Sequence, residues 1–396
     1  MHAGTALRTH RLLLRMAFSA SNLFAWLFIF EYFYRVSGDT GIAIVHTLLL
    51  YALSQTIATL FTPLSARWLR HGMLREIICG VAMAAVAFFC LGEAFQLGHV
   101  VHGPLNGFYF YTVAITGFAI ALGVYRALYW VPYEIERRTI QTPASRFAIE
   151  ICVALMPAFV GTLLVSYGLL DSWLLMISGF VMSLSLIPLI WIPDRYEGFP
   201  WGYRETFARL IDHAHRRLVF GAITDGIQGT ALLLIWPLAI FLIVGWSYEL
   251  LGLLLSFTLL VLLIVRDGMD GFARRLRTVR SLPVRVAIVS SAWIGRILVF
   301  NPASIIVADA YLHTGNPKIS TDHSAFEQTS DAGHFIDEYT VVREIGLLIG
   351  RILLCIVFAF VASLFSLFVA FGAAFVIAGI AAGLSVIASN TAGSTM

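Results

Sequence analysis

Residues 107–138 read GFYFYTVAITGFAIALGVYRALYWVPYEIERR, and this stretch decides the class of fold. Residues 107–124 carry no formal charge, and an apolar run of this length can cross the hydrocarbon core of a bilayer, which is about 30 Å thick. Residues 125–138 then add an arginine, two adjacent aromatic residues, a proline and a group of charges. This ending is typical of a membrane span that reaches the interface.

The composition of the whole chain agrees with this interpretation. The 396 residues are 59% hydrophobic and 12% charged, and the mean hydropathy is +0.85. A soluble domain is about 25% charged. Apolar runs recur along the chain, and the alternating segments of a membrane β-barrel do not occur. We therefore expect an all-α polytopic membrane protein.

The apolar runs predict twelve spans, six on each side of a polar linker. This gives an N-terminal six-helix half at residues 1–194, a linker at 195–217 and a C-terminal six-helix half at 218–396, related by pseudo-symmetry. The predicted spans are 16–35, 42–65, 76–97, 108–131, 146–167, 172–193, 218–244, 247–265, 283–299, 302–315, 339–361 and 364–388.

The ninth and tenth spans are short for two crossings of a bilayer. Residues 282–315 must hold both of them, whereas two spans usually need about 40 residues. We expect two short spans, which keep the two halves in step. The alternative is that one segment does not cross, which would give eleven spans.

The basic residues follow the positive-inside rule if the N-terminus is cytoplasmic. Arginines then concentrate in the cytoplasmic segments and the linker, whereas the outside loops contain Arg35 alone. The apolar run after the basic N-terminus is long and has no evident cleavage site, so it indicates a first span rather than a signal peptide. We expect a multi-pass protein of the cell (inner) membrane with a cytoplasmic N-terminus.

The two halves contain a weak internal repeat. The fifth span opens with RFAIEICVALMP and the eleventh with VVREIGLLIGR, which aligns Glu150 with Glu344. Two related halves of six spans are an arrangement that transporters favour, with the binding site near the midplane between the halves.

The six-linker-six layout resembles the major facilitator superfamily over essentially the whole chain. Three stretches are similar to bacterial members: YWVPYEIE after the fourth span, GIQGTALLLIWPL in the seventh and EYTVVREIGLLIGR at the start of the eleventh. The resemblance implies a secondary transporter whose fourth and seventh spans line a central cavity.

The loop that marks this family has the form G-x-L-x-D-R-x-G-R-R between the second and third spans. Residues 62–75 read TPLSARWLRHGMLR, which keeps Leu64, Arg67 and Gly72. Thr62 replaces the first glycine, and Ala66 replaces the acid that takes part in the family's first-half charge latch. The equivalent stretch of the second half, residues 266–277, reads RDGMDGFARRLR and keeps an acid.

Ionisable groups within spans need a partner or water. Arg126, Tyr129 and Trp130 share one helix face at i, i+3 and i+4. Arg126 and Glu150 fall at similar depths, so we expect them to pair, and we assign structural roles to Glu150 and its counterpart Glu344.

In the second half, Asp225 and Gln228 lie between glycines that allow close helix approach. Pro237 after Trp236 predicts a kink, and Asp309 is the expected partner of Arg351 near the midplane. The residues that we predict to bind substrate or to couple transport are Arg126, Trp130, Asp225, Gln228, Trp236, Asp309, Arg351 and Glu31, and Glu31 or Asp225 could carry a coupling proton.

Several classes of chemistry leave no pattern in the sequence. We find no phosphate-binding glycine motif, no metal-ligand spacing and no nucleophile with a base, so we expect no enzyme activity, no cofactor and no metal. The basic residues do not form a nucleic-acid patch. The expected partners are the lipid bilayer and a small-molecule substrate, and we expect a monomer.

The sequence thus predicts a secondary active transporter of a small solute that works by alternating access and could be proton-coupled. Two alternatives remain open at this point. One is a lipid flippase on the same scaffold, and the other is a non-transporting, transporter-like sensor or assembly protein.

Overall fold

The computed structural model describes residues 3–98, 104–139, 146–166, 171–213, 215–261, 263, 282–315 and 336–393. These residues form a helix at each of the twelve predicted spans and one further short helix in the linker. The helices are α1 Ala3–Ser37, α2 Thr40–Trp68, α3 Met73–Gly98, α4 Pro104–Thr139, α5 Arg146–Ser166, α6 Asp171–Leu184, α7 Tyr203–Ile211, α8 Arg216–Ile243, α9 Tyr248–Val261, α10 Leu282–Ile294, α11 Pro302–Gly315, α12 Ile336–Leu364 and α13 Leu367–Gly393.

The predicted fold class is confirmed: the chain is an all-α, multi-pass membrane protein. Eight of the described helices are long and apolar enough to cross a bilayer, and α5, α9 and α11 contain shorter apolar stretches. The linker helix α7 was not predicted. The second-half loop at 266–277 lies outside the described residues.

Local signals explain where several helices begin and bend. The Asp39 side chain accepts a hydrogen bond of 2.9 Å from the backbone N–H of Ile42 and so caps the start of α2. In α8, a π-helical turn at Ala231–Ile235 precedes Trp236 and Pro237. Pro237 has no backbone N–H and cannot donate the hydrogen bond of a regular helix. This explains why the helix is irregular at the kink that the sequence predicted. Pro132, by contrast, does not end α4, which continues to Thr139.

The ninth and tenth spans are both present as short helices. α10 has 13 residues and α11 has 14, so each is only about 20 Å long. A 3₁₀ turn at Gly295–Leu298 ends the first of the two helices, and Asn301 caps the second by accepting a 2.9 Å hydrogen bond from the Ser304 N–H. The sequence between them therefore builds a tight hairpin.

Two helices of the second half touch along their backbones. A side chain on Gly226 of α8 would clash with the Leu347 carbonyl oxygen of α12, and one on Gly350 of α12 would clash with the Ile223 carbonyl oxygen of α8. Glycine is needed at such crossings because any Cβ atom would push the helices apart. The close approach that the glycines beside Asp225 predicted is thus confirmed at Gly226.

Contacts between several helices join α1–α6 to α8–α13. α12 packs along α2 and also touches α4. α1 meets α8 through aromatic rings. α5 meets α9 where the Ser256 hydroxyl oxygen accepts a 2.8 Å hydrogen bond from the Ala158 N–H. These contacts form the surface at which a site between the two sets of helices can lie.

Candidate functional site

An ion pair joins the two sets of helices at Arg126 of α4 and Glu344 of α12. The Arg126 Nη2 atom lies 2.6 Å from Glu344 Oε1, and the two side chains are only 16% and 10% exposed. The Arg126 guanidinium also lies 5.7 Å from the ring centroid of Trp130, one turn further along α4. The predicted Arg126 and Trp130 are therefore neighbours, and Glu344 is the ion-pair partner of Arg126.

The expected pairing of Arg126 with Glu150 is wrong. Glu150 lies on α5, which turns this end toward α1, where Arg15 is its electrostatic neighbour. The Ser19 hydroxyl of α1 donates a 2.8 Å hydrogen bond to the Val153 carbonyl oxygen and fixes this contact. The sequence suggested this pair because the two residues lie at similar depths in their spans. Whether two residues pair also depends on the direction in which each helix face points.

A second arginine lies two turns further along α12. Arg351 Nη1 donates a 3.3 Å hydrogen bond to Gln55 Oε1 of α2, and the Tyr51 hydroxyl is a further polar neighbour. The Trp26 ring packs edge-on against Tyr51 at 5.3 Å. Seven residues of helix rise about 10 Å. Arg351 and Glu344 therefore lie about 10 Å apart along α12, and both face the contact between the two sets of helices. We call this group (Tyr51, Gln55, Arg126, Glu344 and Arg351) the central polar cluster.

The central polar cluster contains more positive than negative charge. Its two guanidinium groups face the single carboxylate of Glu344, which pairs with Arg126. The direct partners of Arg351 are neutral, and its Nε atom has no hydrogen-bond partner within the described chain. Among the residues that can be described, the cluster therefore retains one uncompensated positive charge.

The expected pairing of Arg351 with Asp309 is also wrong, because Asp309 pairs with Arg296. Arg296 Nη2 lies 2.5 Å from Asp309 Oδ1, and both side chains are almost fully buried. The Arg296 guanidinium sits 4.5 Å from the ring centroids of both Trp236 and Trp293. The tight hairpin of α10 and α11 brings the arginine and the acid together, and α8 supplies Trp236.

Trp236 and Asp309 thus belong to a second cluster inside the second set of helices. Trp236 is 2% exposed and packs edge-on against Phe375 at 5.6 Å. Arg296 was not among the residues predicted from the sequence to form the site. The spacing of Trp293 and Arg296 at i and i+3 was a signal that could have placed both on one face.

Asp225 and Gln228 make local contacts within the second set of helices. Asp225 Oδ1 accepts a 3.0 Å hydrogen bond from the Ser385 hydroxyl of α13. Gln228 is buried, and its Nε2 donates a 3.4 Å hydrogen bond to the Thr224 carbonyl oxygen one turn earlier in α8. These contacts describe helix packing, so a substrate role of either residue stays a prediction.

An aromatic contact closes the end of the bundle far from the linker. His10 Nδ1 lies 2.7 Å from the Ser185 carbonyl oxygen near the end of α6, so α1 starts at the linker side and its later residues lie at the far side. There, Tyr34 lies 4.7 Å and Phe30 5.1 Å from the ring of Trp246. The far-side aromatic cluster consists of Phe24, Phe28, Phe30, Tyr34, Phe241, Trp246 and Tyr248.

Glu31 lies on α1 at this same end. Its Oε2 atom is 3.3 Å from Nη2 of Arg35, which is 69% exposed, and Glu31 itself is 18% exposed. Tyr248 of α9 is its electrostatic neighbour from the second set of helices. The structure therefore places Glu31 at the edge of the far-side aromatic cluster, away from the central polar cluster.

Apolar side chains close the linker side. Buried residues of α2, α3 and α4 meet Val341 and Ile345 of α12, and Phe199, Phe207 and Leu210 of the linker segment pack against them. The linker-side apolar cluster consists of Ala66, Leu69, Met73, Val131, Ile135, Val341 and Ile345 with these three linker residues. Ala66, which stands where the resembled loop pattern has an acid, is fully buried in this cluster.

The loop between α2 and α3 is held by an acid from outside that loop. Asp194, directly before the linker, accepts a 3.0 Å hydrogen bond from the Leu74 N–H and lies 3.8 Å from Arg75 Nε. Gly72 has a φ of +120° and leaves room for the Asp194 carboxylate, which a Cβ atom would strike. The linker therefore anchors this loop.

Comparison with known proteins identifies the fold. No protein-family model matches the sequence, and the comparison with curated proteins finds no relative. Solved structures do match in shape. A POT family transporter in complex with 5-aminolevulinic acid has a TM-score of 0.63 at 11% identity and covers 98% of this chain and 96% of its own.

Two further structures match over a similar extent. A bacterial homologue of the iron transporter ferroportin, in the outward-facing state with soaked iron, has a TM-score of 0.63 at 16% identity and covers 100% of both chains. The peptide transporter POT has a TM-score of 0.62 at 11% identity, covering 99% of this chain and 95% of its own. The chain therefore has the fold of these transporters.

Proposed function

We propose that this chain is a secondary active transporter of the major facilitator type, which moves a small solute across the cell (inner) membrane by alternating access. The observation that carries the proposal is the central polar cluster, which lies between two sets of six helices with a packed closure on each side. The transporter fold of the solved structures and the sequence resemblance support it. The positive-inside pattern supports a cytoplasmic linker side.

In this mechanism, residues 1–194 and 218–396 rock against each other as two halves. Opening the linker side must separate Arg126 from Glu344 and part the linker-side apolar cluster. Opening the far side must separate the rings of the far-side aromatic cluster. The central polar cluster then faces one side or the other, which is the requirement for alternating access.

Glu344 is the residue that we propose for proton coupling. Protonation would remove its charge and with it the ion pair that bridges α4 and α12. Opening of the linker side would then become easier by the free energy of that pair. Glu344 takes this role in place of Glu31 or Asp225, because its carboxylate lies in the contact between the two halves.

Cysteine labelling tests the proposal without knowledge of the substrate. In a background with Cys79, Cys90, Cys152 and Cys355 replaced by alanine, we would introduce Gln55→Cys in the central polar cluster. The protein would be treated with a membrane-impermeant maleimide in right-side-out and in inside-out vesicles. We expect labelling from both sides, since each conformation exposes the cluster to one of them.

Two exposed positions serve as controls for sidedness. Ser37→Cys at the end of α1 should react only from the far side, and Arg204→Cys in α7 only from the linker side. If Gln55→Cys reacts from one side alone while both controls behave as expected, the chain does not alternate. A non-transporting sensor would then be the better interpretation.

A further inference from the structure

The charge of the central polar cluster specifies the chemistry of the solute, and this inference rests on the proposed function. We infer that the solute carries a carboxylate and that Arg351 binds it. The cluster holds the guanidinium groups of Arg126 and Arg351 and the carboxylate of Glu344. One monoanion restores neutrality, whereas a phosphate dianion would replace the excess positive charge with a negative one.

Arg351 has donors to spare. Its Nη1 donates a 3.3 Å hydrogen bond to the neutral amide oxygen of Gln55, and its Nε is unpartnered within the described residues. The planar guanidinium presents neighbouring N–H groups that match the two oxygens of a carboxylate. Arg126, in contrast, already has a carboxylate at 2.6 Å. Arg351 can therefore bind an anionic ligand without first breaking an ion pair.

The neighbours of Arg351 are a glycine and neutral polar groups. Gly229 of α8 faces the guanidinium, and an added Cβ atom at this position would be in van der Waals contact with Arg351 Nη2, at 3.8 Å. On the opposite side, α2 offers the Gln55 amide and the Tyr51 hydroxyl. Walls from α2, α8 and α12 thus surround one guanidinium with two neutral polar groups and a glycine.

The same arrangement links binding to conformation. A carboxylate on Arg351 would also contact Gln55 or Tyr51, which belong to the other half of the molecule. The ligand would then bridge α2 and α12 at the level where the two halves meet. A solute without the negative charge would leave the excess positive charge of the cluster in place.

Paired ligands test this inference on the purified full chain in nanodiscs. The probes are butyrate, 5-aminolevulinic acid and dialanine, each compared with its amide counterpart. Melting temperature is measured over a concentration series, because a ligand that binds the folded state raises it. We expect at least one carboxylate to stabilise the protein. Its amide should bind about 30-fold or more weakly, because the amide leaves the buried guanidinium without an opposite charge.

Variants at Arg351 then connect the charge to the residue. Arg351→Gln should abolish the difference between carboxylate and amide, and Arg351→Lys should retain part of it. Arg216→Gln removes a positive charge from an exposed position at the start of α8 and should change nothing. Equal stabilisation by carboxylate and amide, a preference that survives in Arg351→Gln, or no stabilisation by any carboxylate would each overturn the inference.

Counterflow of the stabilising ligand in proteoliposomes separates this inference from the proposed function. Transport of carboxylate and amide alike would keep the transporter and overturn the role of Arg351. Binding that depends on Arg351 without any counterflow would keep the carboxylate site and overturn the transporter.

Discussion

Replacing Glu344 by glutamine should destabilise the protein well beyond the effect of an ordinary surface substitution. The carboxylate lies 2.6 Å from the Arg126 guanidinium, and the two side chains are 10% and 16% exposed. Glutamine keeps the shape but leaves Arg126 as an unpaired charge in a poorly hydrated contact. Breaking a buried pair in this way costs about 3–5 kcal/mol of unfolding free energy.

A double-mutant cycle isolates the pair from other effects of the substitution. Arg126→Gln and Glu344→Gln should each be costly, whereas the double variant should lose less than the sum of both. We expect a coupling free energy of about 1–3 kcal/mol. Arg35→Gln is the matched control: Arg35 is 69% exposed and lies 3.3 Å from Glu31 on the same helix, so its loss should cost under about 1 kcal/mol.

The assay is reversible unfolding in mixed detergent micelles, followed by circular dichroism, for the wild type and each variant. If the effects of the two single substitutions add to within about 0.5 kcal/mol, the residues do not interact energetically. The ion pair would then contribute nothing to holding α4 against α12, and the proposed role of Glu344 in coupling would fall with it.

The other predictions concern the helix packing. Arg296→Met should lower the unfolding free energy by about 3–5 kcal/mol because it leaves Asp309 buried without its cation. The double variant with Asp309→Leu should recover most of this loss of stability, and a double variant without recovery would contradict the reasoning. Gly350→Leu should lower the melting temperature sharply because its side chain would strike the backbone of α8, whereas Gly372→Leu, which has open space, should not; equal effects would refute the close crossing. Phe207→Ala removes a ring from the linker-side apolar cluster and should shift the cysteine labelling described above toward the linker side; an unchanged pattern would show that α7 does not hold the closure.

The helices could be predicted from the sequence because a bilayer of fixed thickness makes the length of an apolar run informative. The same logic identified residues 282–315 as cramped, and α10 and α11 are indeed short. The linker helix α7 escaped prediction, since nine residues in a polar segment carry no such length signal. Its apolar residues Phe207 and Leu210 pack against the linker-side apolar cluster.

The partners of the buried charges could not be predicted in the same way. Sequence gives the depth of a residue in its span, and Arg126 and Glu150 do lie at similar depths. It does not give the direction in which each helix face points or which helices are neighbours. Arg126 therefore pairs with Glu344 and Asp309 pairs with Arg296. In each case the helix packing places a different partner beside the residue than its depth in the span suggested.

The linker-side closure consists mainly of apolar side chains, with Ala66 fully buried among them. Contacts between charges weaken as salt is added, but apolar contacts weaken on cooling. The strength of this closure should accordingly respond to temperature more than to ionic strength. Cooling should loosen the linker-side apolar cluster and the far-side aromatic cluster together, and so lower the barrier to opening on either side of the proposed transporter.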